Sequence, residues 1–274
     1  MDNSMSFKAK MRNLANAKGI TAQVVLQNYM FERFLIRLSL SEYVENYVIK
    51  GGLLIAAFVG LDKRSTMDLD TTIINAKLNE DFLMNSISSI CSIDVDDKVT
   101  FIVVNISNIR KDDAYGGYRV SIEARYENIV VPLQIDVTTG DVITPREKIV
   151  TFKQLFNEGV FKLKSYSIET ILAEKVETIL SRAELNTRPR DFYDVYILTK
   201  TQLFNKQYFL LGLENTSRHR GSEERIKNIS EILEIIESDI DLRKRWDKYS
   251  KEYKYANGIS YEDINNSLRK LLEI

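Results

Sequence analysis

The chain has 274 residues, 44% apolar and 28% charged, with a formal net charge of −1. That length suits one large or two modest domains, and that charge balance excludes a broadly basic nucleic-acid binder, so a polynucleotide would have to be held by a local patch. One cysteine (Cys91) and one histidine (His219) exclude an internal disulfide and leave too few ligands for a structural zinc site.

A Ser-His-Asp or Cys-His arrangement would have to use His219, and no nucleophile elbow accompanies it. No apolar run approaches the roughly 18 residues of a membrane span. The first ten residues are polar and lack the apolar core of a secretory signal. A cytoplasmic protein without membrane partners is expected. By elimination, the available chemistry is that of carboxylates, lysines and arginines.

Residues 6–43 read as helical. Val24, Val25, Phe31, Phe34, Leu35 and Leu38 recur at helical spacing, with Asn28 as the polar exception, and Thr21 suits the cap of the second helix. Tyr47-Val48-Ile49 reads as a short buried strand running into Gly51-Gly52, and 53–60 as a helix stopped by Gly60. Residues 69–74 are β-branched and strand-like. Helical spacing over 79–91 is followed by strands at 100–110, 118–126 and 129–137, with turns at 112–117 and at Glu127-Asn128. Beyond Phe152 the period becomes helical, over 167–185, 191–199, 206–213, 223–237, 242–253 and 261–272, with Ser260 as the last cap. The expected fold class is α+β: N-terminal helices and a mixed sheet with flanking helices over 1–150, then an all-helical domain over 151–274.

The chemistry is concentrated in a few short stretches. Gly51-Gly52 lies between a strand and a helix, where the backbone can approach a phosphate and helix N–H groups can bind it, or can simply turn. Asp68 and Asp70 are two apart at the start of a strand, so both can face one point and share a divalent metal; the alternative is a solvated turn. Asp136 interrupts an apolar strand, Val131 to Val137. A carboxylate there must be paired, protonated or metal-bound. It either completes a three-carboxylate centre able to hold two Mg²⁺, or pairs with a strand arginine, Arg119 or Arg125. Lys175, on an amphipathic helix, and Arg190, Asp191 and Asp194, beside Pro189, could face a triphosphate. Equally, Lys175 could be a surface lysine, and Arg190 and Asp194 an intrahelical pair.

Taken together, Lys50-Gly51-Gly52, Arg64 with Thr66-Met67-Asp68-Leu69-Asp70, Gln134-Ile135-Asp136, Lys175 in Ala-Glu-Lys, and Arg190-Asp191-Phe192-Tyr193-Asp194 resemble the AbiEii/AbiGii-type nucleotidyltransferase toxins. These are the toxin half of abortive-infection toxin–antitoxin systems. The resemblance runs to about residue 200 and implies a polymerase-β-like nucleotidyltransferase fold. It implies transfer of a nucleotide from an NTP, with Mg²⁺ or Mn²⁺, to an RNA acceptor, the tRNA 3′ end in related toxins. Growth arrest, phage defence and an antitoxin encoded nearby, acting without a stable complex on a monomeric toxin, belong to the same implication.

On that reading Asp68, Asp70 and Asp136 hold metal, and Asp136 helps activate the acceptor hydroxyl. Gly51 and Gly52 bind phosphate through N–H groups. Arg64 and Lys175 offset the triphosphate charge. Arg190, Asp191 and Asp194 organise the far side, with Asp191 facing the chemistry. The commoner nucleotidyltransferase signature is Gly-Ser. With Gly52 in the serine's place, a hydroxyl contact to phosphate falls to Ser65 or Thr66. The same carboxylates could serve protein nucleotidylation, a nuclease or a non-catalytic nucleotide-binding module.

Overall fold

The computed structural model describes residues 4–109 and 116–273, so residues 112–115 of the expected turn lie outside them. The chain divides into two compact units, one of residues 1–141 with 148–165 and one of 142–147 with 166–274.

The first unit is built on a seven-stranded mixed sheet. Its strands are β1 (Tyr47–Lys50), β2 (Leu69–Ile73), β3 (Val99–Asn108), β4 (Tyr118–Tyr126), β5 (Ile129–Thr139), β6 (Lys148–Lys153) and β7 (Val160–Ser165), in the order β3-β4-β5-β2-β1-β7-β6. β2 runs parallel to β5 and β1 parallel to β7, and the other neighbours are antiparallel.

The helices are α1 (Ser4–Lys18), α2 (Ala22–Leu40), α3 (Gly51–Val59) and α4 (Glu80–Ser92). Thr21 caps α2 as its position predicts, accepting from Val24 N–H at 3.3 Å. The apolar stripe of α2 (Phe31, Phe34, Leu35, Leu38) is buried, and the helix packs on β5, β7 and α4. β4 buries Val120, Ile122 and Ala124 on one face, the alternation its sequence shows.

β6 and β7 occupy residues where a helical half is expected. β7 in fact alternates, with Phe161, Leu163 and Ser165 buried while Val160 and Lys162 are exposed. Two lysines on a six-residue strand hide that period. A single register pair, Ile49 with Ser165, ties β7 to β1.

The second unit is helical: α5 (Ile168–Arg182), α6 (Pro189–Thr201), α7 (Lys206–Arg220), α8 (Ile229–Ser238), α9 (Ile240–Glu252) and α10 (Tyr261–Leu272). α5 packs on α6 and α7, and α10 on α6, α8 and α9. Ser167 caps α5, Pro189 opens α6, and Ser260 forms a reciprocal capping box with Asp263 at α10. Trp246 is buried and donates its indole N–H to Ile259 O at 3.0 Å. The helix expected over 223–237 begins only at Ile229, after a turn. Among the described residues no helix is long and apolar enough to cross a membrane.

Candidate active site

Strand register assembles four charged residues of the first unit into one row. Lys50 on β1 stands opposite Asp70 on β2, Asp70 beside Asp136 on β5, and Asp136 opposite Arg119 on β4. Residues matched across neighbouring strands share a face of the sheet. Four strands thus present a basic, an acidic, a second acidic and a second basic group side by side.

Asp68, two residues before Asp70, is exposed just ahead of β2. Its approach is set by α2. Asn28 donates to Thr66 O at 2.9 Å and Gln27 to Met67 O at 2.6 Å, and the Thr66 hydroxyl accepts from Asp68 N–H at 3.4 Å. The polar exception on the apolar stripe of α2 is therefore a strut for this loop. That signal was present in the sequence, but its target lies 38 residues away.

Arg119 forks onto Asp136, with Nε to Oδ1 at 2.7 Å and an Nη to Oδ2 at 2.8 Å. Its hydrogen bonds and charge contact with Asp136, with Asp68 and Asp70 acting from further off, hold its guanidinium above its ordinary value. The strand-arginine pairing, one of the two alternatives for Asp136, is thus the arrangement found.

The donor set is all carboxylate oxygen, which suits Mg²⁺ or Mn²⁺. Register brings Asp70 and Asp136 side by side. Yet among the described residues no three acidic, histidine or cysteine side chains are gathered closely enough to hold an ion. The residues fit a metal in type and register, and Asp136 would have to be released from Arg119 to contribute.

Gly51 begins α3 with φ +70°, and a Cβ on it would stand 1.9 Å from Asp70 Oδ2. Its lack of a side chain makes room for the Asp70 carboxylate. A Cβ on Gly52 would stand 2.8 Å from Thr66 Oγ1 and 3.1 Å from an Arg64 Nη. Arg64 is buried beneath it and donates to Ser65 O at 2.6 Å.

Lys50, the first residue of the glycine motif, reaches Asp141 Oδ2 at 2.6 Å and Thr138 Oγ1 at 2.7 Å. Burial opposes the Asp141 charge. The Lys50 ammonium, its hydrogen bond and those from Thr138 and Thr72 outweigh burial and hold the carboxyl below its ordinary 3.8. The unfolded chain therefore takes up this proton first as pH falls. The stabilisation is complete above about 3.8 and is lost as pH drops through the lower folded value. Asp141→Asn should be less stable than wild type near neutral pH, and the gap should close on acidification; urea titrations across that range read it directly.

In the second unit Lys175, on α5, meets Asp191 Oδ1 at 2.5 Å and Asp194 Oδ2 at 3.0 Å, both on α6. The two carboxylates are 2% and 0% exposed. Their spacing of three does place them on one helical face. Arg188 Nε lies 3.0 Å from Asp191 Oδ2, though without hydrogen-bond alignment. The Arg190 guanidinium lies 5.6 Å from the centre of the Tyr253 ring. Lys175 is thus neither a plain surface lysine nor an isolated cation.

The family model described as nucleotidyl transferase AbiEii toxin, type IV toxin–antitoxin system, matches residues 33–268. Among solved structures, JHP933 from Helicobacter pylori superposes with a TM-score of 0.54 at 17% identity, covering 92% of this chain and 93% of that one. A candidate nucleotidyltransferase from H. pylori gives 0.52 at 16% identity, covering 93% and 96%. At these identities the likeness speaks for the fold, a nucleotidyltransferase-like mixed sheet with flanking helices. No curated protein sequence matches the chain.

Proposed function

Because the chain belongs to the AbiEii nucleotidyl transferase toxin family, we propose that it transfers a nucleotide from an NTP to RNA, at the tRNA 3′ end, by Mg²⁺-dependent chemistry. The observation that carries this reading is the row of Lys50, Asp70, Asp136 and Arg119 with Asp68 at its mouth. Two adjacent acidic groups on a sheet repel each other and are retained where a cation is to be held. Asp68, Asp70 and Asp136 would hold Mg²⁺, which supplies charge neutralisation at the transferring phosphorus and lowers the cost of deprotonating the acceptor hydroxyl. The chain's own part is to keep Asp70 in place against Gly51 and to fix the Asp68 loop through Gln27 and Asn28. A cognate antitoxin, implied by the family, would act without a stable complex on a cytoplasmic, monomeric toxin.

The test is incubation of the protein with each labelled NTP, Mg²⁺, total tRNA and total protein. Label is expected on RNA, with the RNA lengthened. Label on protein alone would move the acceptor to a polypeptide, RNA shortening would indicate a nuclease, and no transfer at all would overturn the reading.

Arg119 gives a second expectation. Its guanidinium stands on Asp136 as an internal cation, so a metal must compete with it. Arg119→Gln should bind Mn²⁺ more tightly by roughly 5- to 10-fold, the worth of a half-exposed fork pair of about 1 kcal/mol. Mn²⁺ titration followed by electron paramagnetic resonance measures this without turnover. Equal affinity in the two proteins would show that Asp136 is not a ligand.

A further inference from the structure

The α9 sequence carries Arg245, Lys248, Tyr249 and Glu252 at positions i, i+3, i+4 and i+7. That spacing puts them on one stripe of the helix. The stripe, with Thr187 to Asp191 at the start of α6 and Tyr253, lines an open cavity of about 430 Å³ within the helical unit. Four cations (Arg188, Arg190, Arg245, Lys248) face two carboxylates there, and one of these, Asp191, is already buried against Lys175. The cavity therefore presents net positive charge.

Two of its lining residues are aromatic, the buried Tyr249 and the half-exposed Tyr253, and further tyrosines pack behind them. Tyr249 and Tyr253 have ring centres 4.7 Å apart, Tyr253 and Tyr255 5.4 Å, and Tyr193 and Tyr255 4.8 Å. The Tyr249 and Tyr255 hydroxyls are joined at 3.0 Å, which fixes the cluster. Tyr253, partly exposed, has the Arg190 guanidinium beside its ring and an Arg190 Nη donating to its hydroxyl at 3.3 Å. Aromatic faces interleaved with cations suit an unpaired nucleotide of a strand, with the base stacked and the phosphate held at the rim. Arg245 and Lys248 stand on successive turns and so offer a track rather than a single anion cradle.

We propose that this cavity of the helical unit binds a single-stranded segment of the acceptor RNA, stacking a base at Tyr253 and holding its phosphodiester backbone with Arg245 and Lys248. The inference rests on the RNA-acceptor reading above. It gives a role to α9, a helix to which the sequence motifs assign none.

The experiment is fluorescence anisotropy of a labelled single-stranded RNA of about 12 nucleotides, titrated with the full chain at several salt concentrations. Wild type should bind, more weakly as salt rises. Lys248→Glu should weaken binding roughly 10-fold and flatten the salt dependence. Tyr253→Ala should weaken it roughly 5- to 100-fold with the salt slope unchanged. Both positions are solvent-accessible, and thermal melts confirm that the variants fold. Mg²⁺-NTP affinity, read by calorimetry, should be unaltered in Lys248→Glu. If wild type and both variants bind RNA alike, the cavity is not the site while the RNA-acceptor reading stands. If wild type binds no RNA, that reading itself fails. If Lys248→Glu loses NTP affinity in parallel, the cavity is a nucleotide subsite and the inference is overturned.

Discussion

Lys175→Met is expected to lower the free energy of unfolding by about 3–5 kcal/mol, the cost of stranding buried charge. The ammonium on α5 bridges two carboxylates on α6 that have almost no access to water. Removing it leaves Asp191 and Asp194 a few ångströms from one another. Arg188, itself 52% exposed, remains as a partner for Asp191. At 2% and 0% exposure the two side chains have little water to compensate them. The double variant Lys175→Met with Asp194→Asn should recover part of the loss, because one stranded charge is then gone. Urea unfolding of the three proteins gives the comparison. A loss below about 1 kcal/mol, the scale of a surface pair, would place Lys175 outside the core and leave its charge available to a triphosphate. The expected large loss means that transfer assays on Lys175 variants report folding as well as chemistry.

The local features were the legible ones. Thr21, Ser260 and the alternation of β4 each depend on residues within a few positions, and each forms as its spacing predicts. Part of the site was legible for the same reason. The two-residue turn Glu127-Asn128 sets Tyr126 opposite Ile129, and counting seven places back along each strand brings Arg119 opposite Asp136. An arginine partner for Asp136 could therefore be named from sequence, although the choice between that partner and metal could not.

What could not be read were the pairings between distant segments. β2 lies parallel to β5 across a long separation, so nothing local states that Asp70 adjoins Asp136. The Lys50–Asp141 pair spans 91 positions, and the struts from Gln27 and Asn28 span 40 and 38. Arg245, Lys248 and Tyr249 did form a helical stripe in the sequence. The stripe gained chemical meaning only when α6 brought Arg188 and Arg190 to the same cavity.

Gly51→Ala is expected to abolish most nucleotide transfer, by at least about 100-fold, while the fold survives. Alanine keeps the backbone N–H, so any phosphate contact made by that group remains available. The added Cβ brings two penalties. It holds a side chain at φ +70°, at a cost of roughly 1–3 kcal/mol for a residue other than glycine. It also lies 1.9 Å from Asp70 Oδ2, so the carboxylate must swing away. A displacement of about 1 Å in a reacting group can cost 10²-fold in rate. Asp70→Ala is therefore the matching control, and the two variants should fail alike in transfer and in Mn²⁺ binding. Gly52→Ala is the contrast. Its Cβ meets the Thr66 hydroxyl at 2.8 Å and the end of the Arg64 side chain at 3.1 Å, not the acidic row. Thr66, whose hydroxyl receives the Asp68 N–H, must shift by a few tenths of an ångström, a smaller disturbance than displacing Asp70 itself, and transfer should fall by less than in Gly51→Ala. Gly51→Ala retaining wild-type Mn²⁺ affinity would show that the Asp70 carboxylate does not depend on this glycine. If Gly52→Ala were the more damaging of the two, the pair would act chiefly at the phosphate, as a backbone cradle, and not as the space that lets Asp70 stand beside Asp136.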